Sequence, residues 1–232
     1  MFDSLANSHY SYGRVPIDSY TKLLLHMSGA DESTTFTDNG ITGHTVTAEG
    51  NAQIDTAQSK FGYSSGLFDG TGDYIDIPDH ADWDFGANPF TIDFWVRFNS
   101  VVSSQTFYSQ RVDATHRVLL YWHSDGAIIY YSNNGSYSIS FNGSWSPSVN
   151  IWYHTALIRG WGGVTGDFAL CIDGNAVGTD SDIDTVADVA ANVNIGRAYA
   201  DTDEFNGWID EFRVSQGVAR WTENFNPPIR AH

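Results

Sequence analysis

The side chains of this chain that could do chemistry are its carboxylates, its histidines, one thiol and a set of loop tryptophans. Glycoside hydrolysis needs two carboxyl groups flanking the scissile bond. The chain has five glutamates: Glu32, Glu49, Glu204, Glu211 and Glu223. The adjacent acids Asp210 and Glu211 point to opposite faces of a regular strand and cannot form that pair. No His-x-x-x-His pair occurs. The single cysteine, Cys171, sits in an apolar run and reads as a buried thiol. Disulfides and cysteine-cluster metal sites are thereby excluded. The sequence reads as a non-enzyme.

Recognition chemistry is better represented. A saccharide ring has an apolar face and a hydroxyl rim, so its sites pair flat aromatics with a few polar groups. Three segments have that make-up: Trp122-His123-Ser124-Asp125, Asn142-Gly143-Ser144-Trp145, and Arg159-Gly160-Trp161-Gly162-Gly163. With Tyr131, they make Trp122, Asp125, Trp145, Trp161 and Tyr131 the candidate ligand contacts. The alternative for the same rings is packing at the ends of the fold or at a subunit interface.

The elements that must position these residues are strands. Residues 90–98 alternate with period two: Phe90, Ile92, Phe94, Val96 and Phe98 on one face, Thr91, Asp93, Trp95 and Arg97 on the other. Other strand runs are residues 20–27, 117–122, 127–132, 137–141, 152–159, 168–172, 193–196 and 207–215. Glycine-rich turns separate several of them. Leu67-Phe68 and Tyr74-Ile75-Asp76-Ile77 flank Asp69-Gly70-Thr71-Gly72-Asp73 and predict a hairpin. Residues 80–85 allow one helical turn capped by Asp79. Phe94, Val96, Leu170, Trp208, Phe212 and Val214 are the expected core. Residues 20–232 read as one domain preceded by an arm, residues 1–19, whose polar and aromatic make-up carries no periodicity.

Charge narrows the partners. Of 232 residues, 11 are Lys or Arg and 28 are Asp or Glu, a net charge of −17. Such a chain does not release counterions from a nucleic-acid backbone and is repelled by anionic lipid. No apolar run approaches the ~20 residues of a membrane span. Met1-Phe2-Asp3-Ser4 opens with neither a basic region nor an apolar stretch, so a signal peptide is not expected. Divalent cations and neutral ligands are the favoured partners.

Several stretches, in order, resemble the laminin-G-like branch of the concanavalin A-like lectin/glucanase jelly rolls. They are Leu23-Leu24-Leu25-His26, residues 66–75 around the glycine turn, residues 90–96, Trp152-Tyr153-His154, Ile172-Asp173-Gly174, Asn194-Ile195-Gly196 and residues 205–214. The resemblance spans about residues 20–228. It implies an all-β, two-sheet antiparallel jelly-roll sandwich. Hydrolytic relatives carry Glu-x-Asp-x-x-Glu on one strand, and no glutamates here have that spacing. Family members often hold calcium between the exit of the first strand and the last strand, which implies Asp31, Asp38 and Asp210 as ligands. Ser28 stands where related sequences place an acid.

The resemblance also implies a setting. Signal-less jelly rolls with a short arm are similar to bacteriophage virion appendages: tail fibres, head fibres or decoration proteins. The sandwich would sit at the virion surface and meet a host cell-surface glycan. The arm would dock virion scaffold proteins or join copies in a homotrimer. The alternative is a secreted, extracellular bacterial carbohydrate-binding or adhesion module, and the third reading is a divergent glycoside hydrolase.

Overall fold

A computed structural model describes residues 17–198 and 202–232. The expected arm lies outside the described residues as far as residue 16. Asp18, near its end, is fixed to the body: Arg220 grips its carboxylate with a forked pair of hydrogen bonds at 2.5 and 2.9 Å.

Among the described residues, fifteen strands follow in chain order: β1 (Thr21–Leu25), β2 (Thr47–Glu49), β3 (Gln53–Asp55), β4 (Ser65–Asp69) and β5 (Tyr74–Ile77) come first. Next are β6 (Phe90–Phe98), β7 (Gln105–Arg111), β8 (His116–His123), β9 (Ala127–Asn134) and β10 (Ser138–Ser144). The last five are β11 (Trp152–Arg159), β12 (Asp167–Ile172), β13 (Asn175–Ser181), β14 (Val193–Ile195) and β15 (Asn206–Gln216). All pairings are antiparallel. They build two sheets. The eight-stranded sheet runs β13-β12-β11-β6-β15-β4-β3, with β1 also on β15; the seven-stranded sheet runs β10-β9-β8-β7-β14-β5-β2. The two pack face to face as the expected jelly-roll sandwich.

The core between the sheets is aromatic. Phe94 stacks on Phe212 with centroids 5.1 Å apart, and Phe98 meets Phe107, Trp122, Trp145 and Phe205 edge to face. Five of the six expected core residues are fully buried: Phe94, Val96, Leu170, Phe212 and Val214. Trp208 is the exception. A bulge in β15 sets Asp210 opposite Trp95 and Arg213 opposite Asp93, so one extra residue is inserted between them. Trp208 therefore lies on the outer face, half-buried, with its indole N–H donating to Asp55 at 2.6 Å.

Two local expectations are corrected. Residues 69–73 do not close a hairpin, because β4 pairs with β15 in one sheet and β5 with β14 in the other. The turn is a corner between sheets. Gly70 and Gly72 take positive φ there, as the turn requires, and buried Asp73 ties it together by accepting the Asp69 N–H at 2.7 Å. The helical turn expected at residues 80–85 is a 3-10 turn over Ala81–Trp83, and its cap is His80, not Asp79.

Candidate functional site

The outer face of the eight-stranded sheet carries the polar face of β6. Thr91 and Asp93 are fully buried there and Trp95 is 5% exposed. Residues 218–232 cover them. The Thr91 hydroxyl donates to the Val218 carbonyl and accepts from the Arg220 N–H. Trp221 and Phe225 stack at 3.9 Å and both meet the His154 ring.

Asp93 is the hub beneath this cover. It accepts from Arg213 at 2.9 and 3.1 Å and meets His232 Nε2 at 3.1 Å and His154 Nε2 at 3.4 Å. Burial pushes its carboxyl up, but Arg213, His232 and His154 outweigh that and hold it well below the usual carboxylate range. The β15 bulge puts Glu211 at φ 52°. Its carboxylate meets His26 Nδ1 at 2.9 Å and accepts the His232 N–H at 2.9 Å. The opposite-face expectation for Asp210 and Glu211 rested on regular alternation, which the bulge breaks. Both acids serve the outer face.

Beside this network lies a hollow of ≈ 1180 Å³, lined by Trp95, Phe61, Lys60, Leu24, Arg213 and the segment around Pro227 and Ile229. Asp210 holds one wall in place. Its Oδ2 accepts the Lys60 and Phe61 N–H groups at 2.8 and 3.0 Å, which fixes that loop over the sheet. Phe61 then meets Trp95 edge to face at 5.8 Å, and the Lys60 ammonium stands 3.7 Å from the Trp95 ring centroid. Burial lowers the Lys60 pKa, against the pull of Asp173 and Asp210. The Asp210 carboxyl is pushed up to about 7, by burial first and by Glu211 in addition. Its Oδ1 is buried with no partner, as is Trp95 Nε1. Near the hollow, Tyr63 and Ile229 are both 91% exposed.

The five sequence-derived ligand contacts do not converge. Trp122 and Trp145 are corrected: they are core residues, 3% and 7% exposed, with Trp122 Nε1 donating to the Trp145 carbonyl at 3.0 Å. Their rings fill the end of the sandwich, so neither offers a face to a ligand. Asp125 is exposed in the β8–β9 turn, 2.9 Å from His123 Nδ1. Tyr131 lies on β9, its hydroxyl 2.6 Å from Asn133 Nδ2 and its ring under Arg117. Trp161 is half-buried and, like Trp221 and Phe225, packs against a small outer cluster around Ala156 and Cys171. Cys171 is fully buried, its pKa pushed up to about 12 by that burial.

The proposed metal ligands are likewise separate. Asp31 accepts from Thr56, and Asp38 takes the N–H groups of Leu24, Gly40 and His44. Ser28 donates to the His26 carbonyl. Asp31, Asp38 and Asp210 do not form a three-ligand group among the described residues; only Asp210 keeps a buried oxygen free. As a calcium cage this set does not fit, since a hard cation needs six to eight oxygens.

Sequence reasoning placed Trp95 and Asp93 on the face away from the core but did not take them as a site. The signal was there: a large ring and an acid side by side on the outer face of one strand. Lys60 and Phe61 gave no signal, because a contact across 149 and 150 positions to Asp210 has no local pattern.

A family model for the concanavalin A-like lectin/glucanase superfamily matches residues 69–223. The chain belongs to this superfamily. No curated protein matches it by sequence. Among solved structures it is similar to domain 4 of an extracellular arabinanase from Geobacillus stearothermophilus, solved in complex with arabinotriose. The TM-score is 0.64 at 19% identity, covering 86% of this chain and 93% of that one. The binding domain of botulinum neurotoxin serotype D gives 0.67 at 14% identity, covering 90% and 51%. The binding domain of Paraclostridial Mosquitocidal Protein 1 gives 0.63 at 15%, covering 89% and 50%. This chain thus spans about half the length of the two toxin domains. Identities this low speak for the fold alone.

Proposed function

We propose that this protein is a non-enzymatic recognition module that binds a cell-surface glycan in the hollow beside Trp95. The observation that carries the reading is the hollow itself: aromatic walls at Phe61 and Trp95, a lysine held over the indole, and an indole N–H without a partner. Trp95, 5% exposed, is the floor beneath Lys60 and half-buried Phe61, which are the groups a ligand in the hollow meets: saccharide hydroxyls or carboxylates pair with the ammonium, and a sugar face packs on the Phe61 ring. Of the four basic residues that line it, Arg213 is paired with Asp93 and Arg220 with Asp18, itself in the lining, which leaves Lys60 and Arg230 to favour a saccharide carrying a carboxylate or sulfate. The arabinotriose bound to the arabinanase domain supports a saccharide as the ligand class.

The non-enzymatic part rests on the carboxylates. Asp93 and Glu211 are both held by cationic or N–H partners, which leaves neither to act as acid or base. The finer setting we carry with this reading is a virion appendage, with an extracellular bacterial module as its alternative. It is supported by the resemblance of the sequence and by an acidic surface that keeps a displayed domain soluble. Homotrimer formation and docking on virion scaffold proteins through the arm belong to the same proposal, and co-purification with particles tests them. A glycan array probed with the full chain tests the binding: acidic saccharides should be retained. An array on which no saccharide is retained contradicts the proposal.

A further inference from the structure

A second cluster of chemistry-bearing side chains lies apart from the hollow, where the β1–β2 loop meets the 3-10 turn. His44 Nε2, His80 Nδ1 and a carboxylate oxygen of Asp82 all lie within 4.8 Å of one another. His44 Nε2 is 3.1 Å from Asp82 Oδ2, and His80 Nδ1 is 3.3 Å from the same oxygen. Tetrahedral zinc with bonds of about 2.0–2.1 Å sets its ligand atoms about 3.3 Å apart, which the two carboxylate–histidine distances match, while the widest pair must close from up to 4.8 Å by rotation of the exposed His80 ring. We propose that His44, His80 and Asp82 form a binding site for a zinc-class divalent ion.

The surroundings fit that use. The His44 ring is nearly buried, packed 4.6 Å from Trp83 and 4.8 Å from His80, which fixes its direction. The Thr42 hydroxyl donates to Asp82 Oδ2 at 2.5 Å and orients the carboxylate, the supporting contact that metal-bound carboxylates commonly have. Lys22 stands 3.9 Å from the other oxygen, Oδ1, so the clustered side faces the histidines. His80 Nδ1 accepts the Asp82 N–H at 3.1 Å and so also lies 3.3 Å from an acceptor oxygen. Nδ1 has one lone pair, so the ion would displace the Asp82 N–H from it, and it would take the Nε2 position of His44, whose proton leaves to solvent. Three protein ligands leave a fourth position, on the side where His80 is exposed. Imidazole and carboxylate together suit zinc over calcium, which prefers oxygen alone. The bound ion would clamp the β1–β2 loop to the segment that enters β6.

Zinc chloride added to the untagged full chain tests this. One equivalent should bind per chain in isothermal titration and raise the melting temperature. His80→Ala and Asp82→Asn should each weaken binding at least tenfold and abolish the thermal shift. Circular dichroism of both variants without metal should match wild type, which separates lost ligands from lost fold. Failure of wild type to bind one equivalent would overturn the site. So would undiminished binding by both folded variants, which would place the ion on surface histidines such as His116 or His123. Neither result depends on the glycan reading of the hollow.

Discussion

The two faces of β6 are both buried, for different reasons. The inner face, Phe90, Ile92, Phe94, Val96 and Phe98, is apolar throughout and covered by the second sheet. The outer face is Thr91, Asp93 and Trp95, covered by residues 218–232 and the Lys60–Phe61 loop, and half-buried Arg97, which lies over Trp208. The inner face is held by area removed from water, which is non-directional. The outer face is held by ion pairs and hydrogen bonds centred on Asp93, which are directional. A core of the first kind tolerates repacking. A face of the second kind specifies one arrangement and leaves a shaped, charged hollow beside it.

The largest expected effect lies on the inner face. Phe94→Ala removes a ring stacked on Phe212 and should cost about 3–5 kcal/mol in chemical denaturation. A loss under about 1 kcal/mol would mean that the inner face is not the main source of stability. On the outer face, Asp93→Asn keeps the shape but removes the charge that Arg213 and His232 share. It should cost about 2–3 kcal/mol. A larger loss there than at Phe94 would reverse the ranking of the two faces.

Asp210 sharpens the comparison through pH. Its folded pKa of about 7 stands above the ordinary 3.8, so between those values the folded chain holds more of this proton than the unfolded one. This group's contribution to stability therefore falls as pH rises from about 4 to about 7. Asp210→Asn lacks the titration. Its stability relative to wild type should rise over that window, by at most about 1.4 kcal/mol per pH unit for one proton. A difference that stays flat from pH 4 to 8 would mean that the carboxyl is not held neutral by burial.

Much of the fold was legible because period-two patterns report burial directly. The alternation at residues 90–98 assigned both faces of β6 correctly. The same rule failed on β15, where the bulge at Glu211 shifts the phase and sends Trp208 outward; no local residue pattern announces that shift. The β4–β5 corner was read as a hairpin because the turn chemistry of Gly70 and Gly72 is alike whether the chain returns to its own sheet or crosses to the other. The site was less legible. Glycine and polar neighbours made Trp122, Trp145 and Trp161 look exposed, yet exposure depends on what packs over a ring from elsewhere in the chain. Trp145 is covered by Phe98 and Tyr153, and half-buried Trp161 packs against the cluster around Ala156 and Cys171. The hollow is assembled from segments near residues 18, 60, 95, 213 and 230, a combination that only the folded chain brings together.

The central claim, that the hollow beside Trp95 is the recognition site, is tested most directly by isothermal titration of the acidic glycan best retained on the array. Wild type, Lys60→Gln and Trp161→Ala would be compared under one salt condition. Lys60→Gln should weaken binding at least tenfold while Trp161→Ala binds as wild type does. Unchanged affinity in Lys60→Gln, with loss in Trp161→Ala, would contradict the account and return the site to the glycine-flanked loop.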